Sequence, residues 1–135
     1  AGRGDRPGRV FIQTRTPDHP AIQAAAQHDF WSFAEKELTS RQQLGYPPFR
    51  FLLKLTTSHK TQEEAIRAAE ALYGKLKENP AVRVLGPAPA FHERAGGSFH
   101  WQLVVKAARR GVLLDIAREL PATGWKTDID PINVL

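Results

Sequence analysis

The sequence predicts an α+β fold: a ferredoxin-like βαββαβ domain preceded by a short strand and two helices. Three observations carry this expectation. After residue 50 the apolar pattern alternates between a period of two and a helical period, in the order strand, helix, strand, strand, helix, strand. Tyr46-Pro47-Pro48-Phe49 interrupts all helical patterning and marks a boundary between residues 1–45 and 46–135. Gly and Pro then punctuate the second half where that element order needs turns.

Each element has a local reason. Residues 9–14, Arg-Val-Phe-Ile-Gln-Thr, read as a short strand. Asp18 stands as an N-cap for a helix with Pro20 in its first turn, where a missing N–H costs nothing. Asp29 caps a second helix. Phe30, Phe33, Ala34 and Leu38 follow at helical spacing, Glu37 and Arg41 pair at i, i+4, and Gly45 stands as the C-cap glycine. The two prolines make 46–49 a stiff, extended connector. Phe51 to Thr57 is a strand. Thr61 and Glu64 form a capping box for a helix with Ala65, Ala69, Leu72, Tyr73 and Leu76 on one face, ended by Asn79-Pro80. Val82 to Leu85 starts a strand that Gly86-Pro87-Ala88-Pro89 interrupts and Phe91 resumes. Arg94-Ala95-Gly96-Gly97-Ser98 is a hairpin turn, and Phe99 to Val105 the third strand. Val112, Leu113, Ile116, Ala117 and Leu120 define the last helix, stopped by Pro121, and Trp125 to Ile129 the last strand. An antiparallel sheet of this kind buries one face under two helices and leaves the other available.

Composition narrows the function. The 135 residues hold no cysteine, which excludes disulfides and thiolate metal sites. His19, His28, His59, His92 and His100 are scattered without the spacing of a helical metal pair. No apolar run approaches the roughly 18 residues that a membrane span needs. The net charge of +5 favours a polyanionic partner. Much of it sits in Arg3, Arg6, Arg9 and Arg15, against Asp5, so the remaining body is only mildly basic.

No nucleophile, base and orienting group occur together, so no catalytic site is expected. Asp128 and Asp130 share a strand face, which suits a metal pair or, more simply, a strand end turned by Asp130-Pro131. Cations for phosphates and flat rings for bases meet in the hairpin 91–106. Alternation puts His100, Gln102 and Lys106 on one face, with Val104 among them, and Phe99, Trp101, Leu103 and Val105 on the other. Trp101 is read as a core anchor, with a base-stacking platform as the alternative. Lys54 and Arg83 extend the polar face if the strand register allows. Lys54, Arg83, Arg94, His100 and Lys106 are thus the candidate nucleic-acid contacts.

Several motifs also carry a resemblance. Gly2-Arg3-Gly4 with Pro7-Gly8, Val10 to Thr14, Asp18-His19-Pro20, Leu44-Gly45-Tyr46-Pro47-Pro48-Phe49, Val84-Leu85-Gly86-Pro87-Ala88-Pro89-Ala90, Trp101-Gln102 and Asp128-Ile129-Asp130-Pro131-Ile132-Asn133-Val134-Leu135 occur in order. Together they resemble the C-terminal end of the PriA family, primosomal protein N′, the replication-restart helicases. The resemblance implies that residues 1–45 are the tail of helicase motor lobe 2, and that 46–135 form a domain resembling ribosomal protein S10. It implies that Arg3 matches the last arginine of helicase motif VI, an arginine finger reaching the γ-phosphate of ATP. The sequence has no Gly-Lys-Ser/Thr phosphate loop to complete that site, so the fragment is expected to be inactive. ATP, Mg²⁺ and a structural zinc belong to the parent, a 3′→5′ DNA helicase of the bacterial cytoplasm and nucleoid. Implied partners are forked or single-stranded DNA, to which the candidate nucleic-acid contacts are then assigned, the acidic C-terminal tail of single-stranded DNA-binding protein (SSB), with Gln102 and Arg94 as its implied contacts, and other primosome proteins. Self-association of the fragment through its apolar N-terminal part is a further expectation.

The chain departs from the family at the hairpin. Related proteins carry Arg-Ala-Gly-Arg-Tyr-Arg-Trp-Gln. This one has Arg94-Ala95-Gly96-Gly97-Ser98-Phe99-His100-Trp101-Gln102, one residue longer and without the two later arginines. Losing those guanidinium groups weakens the expectation of tight carboxylate or phosphate recognition there. Two rival functions share the fold: an S10-like RNA-binding or ribosomal scaffold module, and a ligand-binding regulatory domain.

Overall fold

The structure, a computed structural model, describes residues 8–121 and 123–132. Arg3, the rest of the stretch up to Pro7 that resembles motif VI, and Asn133 to Leu135 lie outside the described residues. Two compact units emerge, one ending at residue 40 and one starting at residue 41.

The first unit holds α1 (Pro20–Ala26), which leads into α2 (Phe30–Leu44), whose last residues from Arg41 belong to the second unit. The N-cap of α1 is His19, not Asp18: its ring Nδ1 accepts from the Ala21 N–H at 3.2 Å. Asp29 does cap α2, accepting from the Ser32 N–H at 3.1 Å. At the far end, Gly45 has φ +64, the Tyr46 N–H reaches the Arg41 carbonyl at 2.8 Å and the Gly45 N–H that of Gln42 at 3.2 Å. This is a Schellman closure, which needs the left-handed glycine. The strand expected over 9–14 is not formed, and Val10 and Phe11 are largely exposed. A strand is defined by its ladder, and among the described residues this segment has no partner to supply one.

The second unit takes in the end of α2 from Arg41 onward and the βαββαβ domain: β1 (Phe51–His59), α3 (Gln62–Leu76), β2 (Val82–Ala95), β3 (Ser98–Ala107), α4 (Arg110–Glu119) and β4 (Trp125–Ile129). The connector before it is not extended. Phe49 N–H donates to the Tyr46 carbonyl at 3.0 Å, closing 46–49 into a tight turn. Two prolines bar a helix, but their fixed φ also suits turn corners. The sheet order is β2-β3-β1-β4, with all neighbours antiparallel. Leu53, Leu55, Leu103 and Val105 form the core with Leu113 and Ile116 of α4, and Leu72, Tyr73 and Leu76 of α3 pack against it. Ala65 and Ala69 let α3 approach Trp101, which is 6% exposed and therefore a core anchor. Both helices thus cover one sheet face.

Thr61 caps α3 as expected, accepting from the Glu64 N–H at 3.3 Å. Gly86 to Pro89 bulge β2 without ending it: the register with β3 slips between Leu85 and Ala88 and again between Pro89 and Arg94. Asp130 is fully used by the fold. One carboxylate oxygen accepts from the Leu52 N–H at 3.1 Å and the other from Arg110 Nε at 3.2 Å. Asp130 thus holds the strand end, the simpler of the two readings of Asp128 and Asp130. Among the described residues, no helix is long and apolar enough to cross a membrane.

Candidate functional site

Strand alternation decides what the uncovered sheet face displays. On β3 it carries His100, Gln102, Val104 and Lys106, opposite in direction to the core residues Trp101, Leu103 and Val105. The register then adds neighbours. Lys54 lies opposite Val104, Thr56 opposite Gln102, Lys126 opposite Thr56 and Asp128 opposite Lys54. On the other side Leu85 faces Val104 and Arg83 faces Lys106.

At the hairpin end this face is hollowed into an open groove of about 610 Å³. Its floor is Lys54, Thr56, His100, Lys126 and Asp128, and its wall is Ala90, Phe91, His92 and Ala95. The wall exists because Ala90 to Glu93 have no ladder partners across the second register slip, so that part of β2 stands away from β3. Phe91 is 72% exposed and meets the His92 ring edge-on, 4.9 Å between centroids. His100 Nε2 lies 3.3 Å from the Ala95 carbonyl, so that nitrogen must carry the proton. Arg94, at the hairpin tip, sets its guanidinium 5.4 Å from the Phe99 ring. Two ammonium groups, two imidazoles and an exposed phenyl ring beside one carboxylate can hold a phosphate and stack a base.

The other end of the face is built differently. Lys106 is only 8% exposed. Its Nζ donates to the Leu44 carbonyl at 3.0 Å and lies 3.6 Å from the centre of the Tyr46 ring. Burial, and secondarily the Arg83 charge, hold its pKa below the ordinary lysine value. The expectation that Lys106 is an outward phosphate contact is therefore corrected: it ties the end of α2 and the 46–49 turn to the sheet.

The predicted site residues thus separate. Lys54 and His100 come together in the groove. Arg94 stands at the hairpin tip, Gln102 sits half-buried at mid-face, and Arg83 lies at the far end. Lys126 and His92 were not anticipated. Alternation in Trp125–Ile129 points Lys126 outward, so Lys126 was legible once the sheet order is known. His92 joins only through the slipped register. Among the described residues no group of His, Asp or Glu is arranged to hold a metal ion.

Comparison with known proteins supplies the family. Replication restart protein PriA of Synechocystis sp. is 43% identical over 142 residues, covering 99% of this chain and 17% of the relative. The same-named proteins of Treponema pallidum and Bacillus subtilis are 36% and 31% identical; each alignment covers 100% of this chain, and 22% and 17% of the respective relative. The chain thus spans roughly a fifth of the length of these curated relatives. Residues 42–132 match the family described as Primosomal protein N C-terminal domain, a span that takes in the whole βαββαβ unit, its groove and its hairpin, and to this family the chain belongs.

Proposed function

We propose that this chain is a non-catalytic C-terminal part of an ATP-dependent 3′→5′ DNA helicase that restarts replication, and that its open sheet face contacts DNA at the fork. The observation that carries the reading is the groove: Lys54, Lys126 and His100 beside the exposed ring of Phe91, on the face that α3 and α4 leave bare. Cations neutralise phosphates and a flat ring stacks a base without reading sequence. ATP, Mg²⁺ and zinc belong to other parts of such a helicase. Arg94 and Gln102 are the residues we assign to docking the acidic C-terminal tail of SSB and other primosome proteins. The protein works in the bacterial cytoplasm, at the nucleoid.

The affinity should be low, micromolar or poorer at physiological salt, because few phosphates are neutralised. The test is fluorescence anisotropy of the chain with forked DNA and with structured RNA across a salt series. Lys54→Ala/Lys126→Ala should weaken fork binding and flatten the log–log salt dependence by about 0.7–0.9 for each lost contact. Unchanged affinity in that double variant would remove the groove from the site. A preference for the structured RNA would favour the S10-like RNA-binding reading instead.

A further inference from the structure

The end of the sheet face away from the hairpin holds a second cationic feature. A cleft of about 300 Å³ opens between the α2 C-terminus and the start of β2. Arg50, Arg83 and Lys106 line it, and no Asp or Glu does. The cleft is open to solvent and wide enough to admit a small oxyanion. Arg83 and Lys106 sit directly opposite one another in the antiparallel register. Like charges so placed are destabilising, and the pair persists although Lys106 is buried. The α2 C-terminus accounts for one of the three charges, since its carbonyl end takes the Lys106 ammonium. It does not account for the guanidinium groups of Arg50 and Arg83, both exposed and without a hydrogen bond or ion pair among the described residues.

We propose that this cleft is a second phosphate-binding site, in which the guanidinium groups of Arg50 and Arg83 take one backbone phosphate of a nucleic acid. Lys106 forms the fixed positive floor. A fork-shaped guanidinium is suited to a tetrahedral oxyanion, and two of them from different elements can clamp it from two sides. The cationic cleft stands on its own geometry, but the choice of nucleic acid as the phosphate carrier rests on the reading above. The cleft lies on the same sheet face as the hairpin groove. From Lys106 to His100 along β3 is about 20 Å at roughly 3.3 Å per residue, so one strand can run across both.

The test uses the whole chain. Arginine Nε–Hε resonances are followed by NMR while inorganic phosphate, a short single-stranded DNA or a Glu/Asp-rich peptide is added. Arg50 and Arg83 should shift together and saturably with phosphate, and at lower concentration with DNA. Arg50→Ala/Arg83→Ala should flatten the salt dependence of single-strand binding by about 0.7, the share of the one phosphate that the pair neutralises. Without ligand, Arg83→Ala should leave the chain as stable or more so, since it relieves a like-charge pair. If it destabilises the fold instead, Arg83 is structural and the proposal is overturned. No shift with phosphate, or a response to the acidic peptide alone, also overturns it. An unchanged salt slope in Arg50→Ala/Arg83→Ala, with Lys54→Ala/Lys126→Ala weakened, overturns the cleft and leaves the groove standing. The reverse pattern removes the groove and keeps the cleft.

Discussion

Gly86→Ala is the sharpest perturbation the sheet offers. Gly86 has φ +99, a conformation L side chains rarely adopt, and a Cβ there would lie 2.9 Å from the Gln102 carbonyl oxygen and 3.3 Å from the Ala88 nitrogen. Both are backbone atoms, so no rotamer change relieves the contact. The unfavourable φ alone costs about 1–3 kcal/mol. With the backbone clash, the expected loss is about 2–4 kcal/mol, against a total stability of about 5–15 kcal/mol for a domain of this size. The variant should therefore fold at 25 °C but unfold earlier. With a urea slope of about 1–3 kcal/mol per molar, the midpoint should drop by roughly 1–2 M. Gly74→Ala supplies a control of opposite sign, because a Cβ at that helical position meets nothing within 4 Å. It should stabilise by about 0.5–1 kcal/mol. Gly86 opens the bulge that leads into the groove wall, so Gly86→Ala should also weaken fork-DNA binding measured below its transition. Circular dichroism melts in urea decide the matter. A Gly86→Ala midpoint indistinguishable from that of the parent would refute the claim that this bulge is imposed by the sheet.

Lys106→Met should change stability by no more than about 1 kcal/mol near neutral pH, because a buried charge is relieved as its contacts are lost, whereas Lys106→Ala, which also removes the stem beside Tyr46, should cost about 1–2 kcal/mol. Because the folded pKa of Lys106 lies below the ordinary 10.5, the unfolded chain binds the extra proton between the two values, and stability should rise with pH across that window; denaturant melts should show this alkaline gain in the parent and its loss in Lys106→Met. The chain should release no phosphate from ATP, with or without single-stranded DNA, in a coupled assay. Light scattering should detect concentration-dependent self-association, driven by Phe11 and Trp31, 87% and 81% exposed, that disappears in a chain cut to 46–135 while that domain stays folded.

What the sequence could reveal divides along a physical line. Features fixed by a few adjacent residues were readable: the Thr61 cap, the Gly45 closure of α2, the turn at Gly96 and Gly97, and the inward set Trp101, Leu103 and Val105. Features that need a distant partner were not. Residues 9–14 have strand-forming side chains, but pairing is a property of two chains, and one string of residues does not contain it. Lys106 shares its strand parity with His100 and Gln102 and so looked equally exposed. Its burial depends on the 46–49 turn folding back to bring Leu44 and Tyr46 over it. His92 joined the groove only because two register slips lift Ala90 to Glu93 off the ladder.

The charge of the βαββαβ unit is segregated, and this is the strongest reason to treat the open sheet face as a binding surface. On α3, Glu63, Glu64 and Glu70 face Arg67 and Lys75 in number; on α4, Asp115 and Glu119 balance Arg110 and Arg118. The helical layer is therefore close to neutral, as a merely solvated surface should be. On the sheet face, Arg83, Lys106, Lys54 and Lys126 stand against Asp128. A solubility role needs mixed charges and would not put an arginine directly across from a buried lysine. Such an arrangement is repulsive in the free protein and becomes favourable when a polyanion lies on it. The gain is modest for so few charges, and it is screened by salt. The face is therefore suited to hold a strand that some other contact has already brought near, rather than to capture one alone.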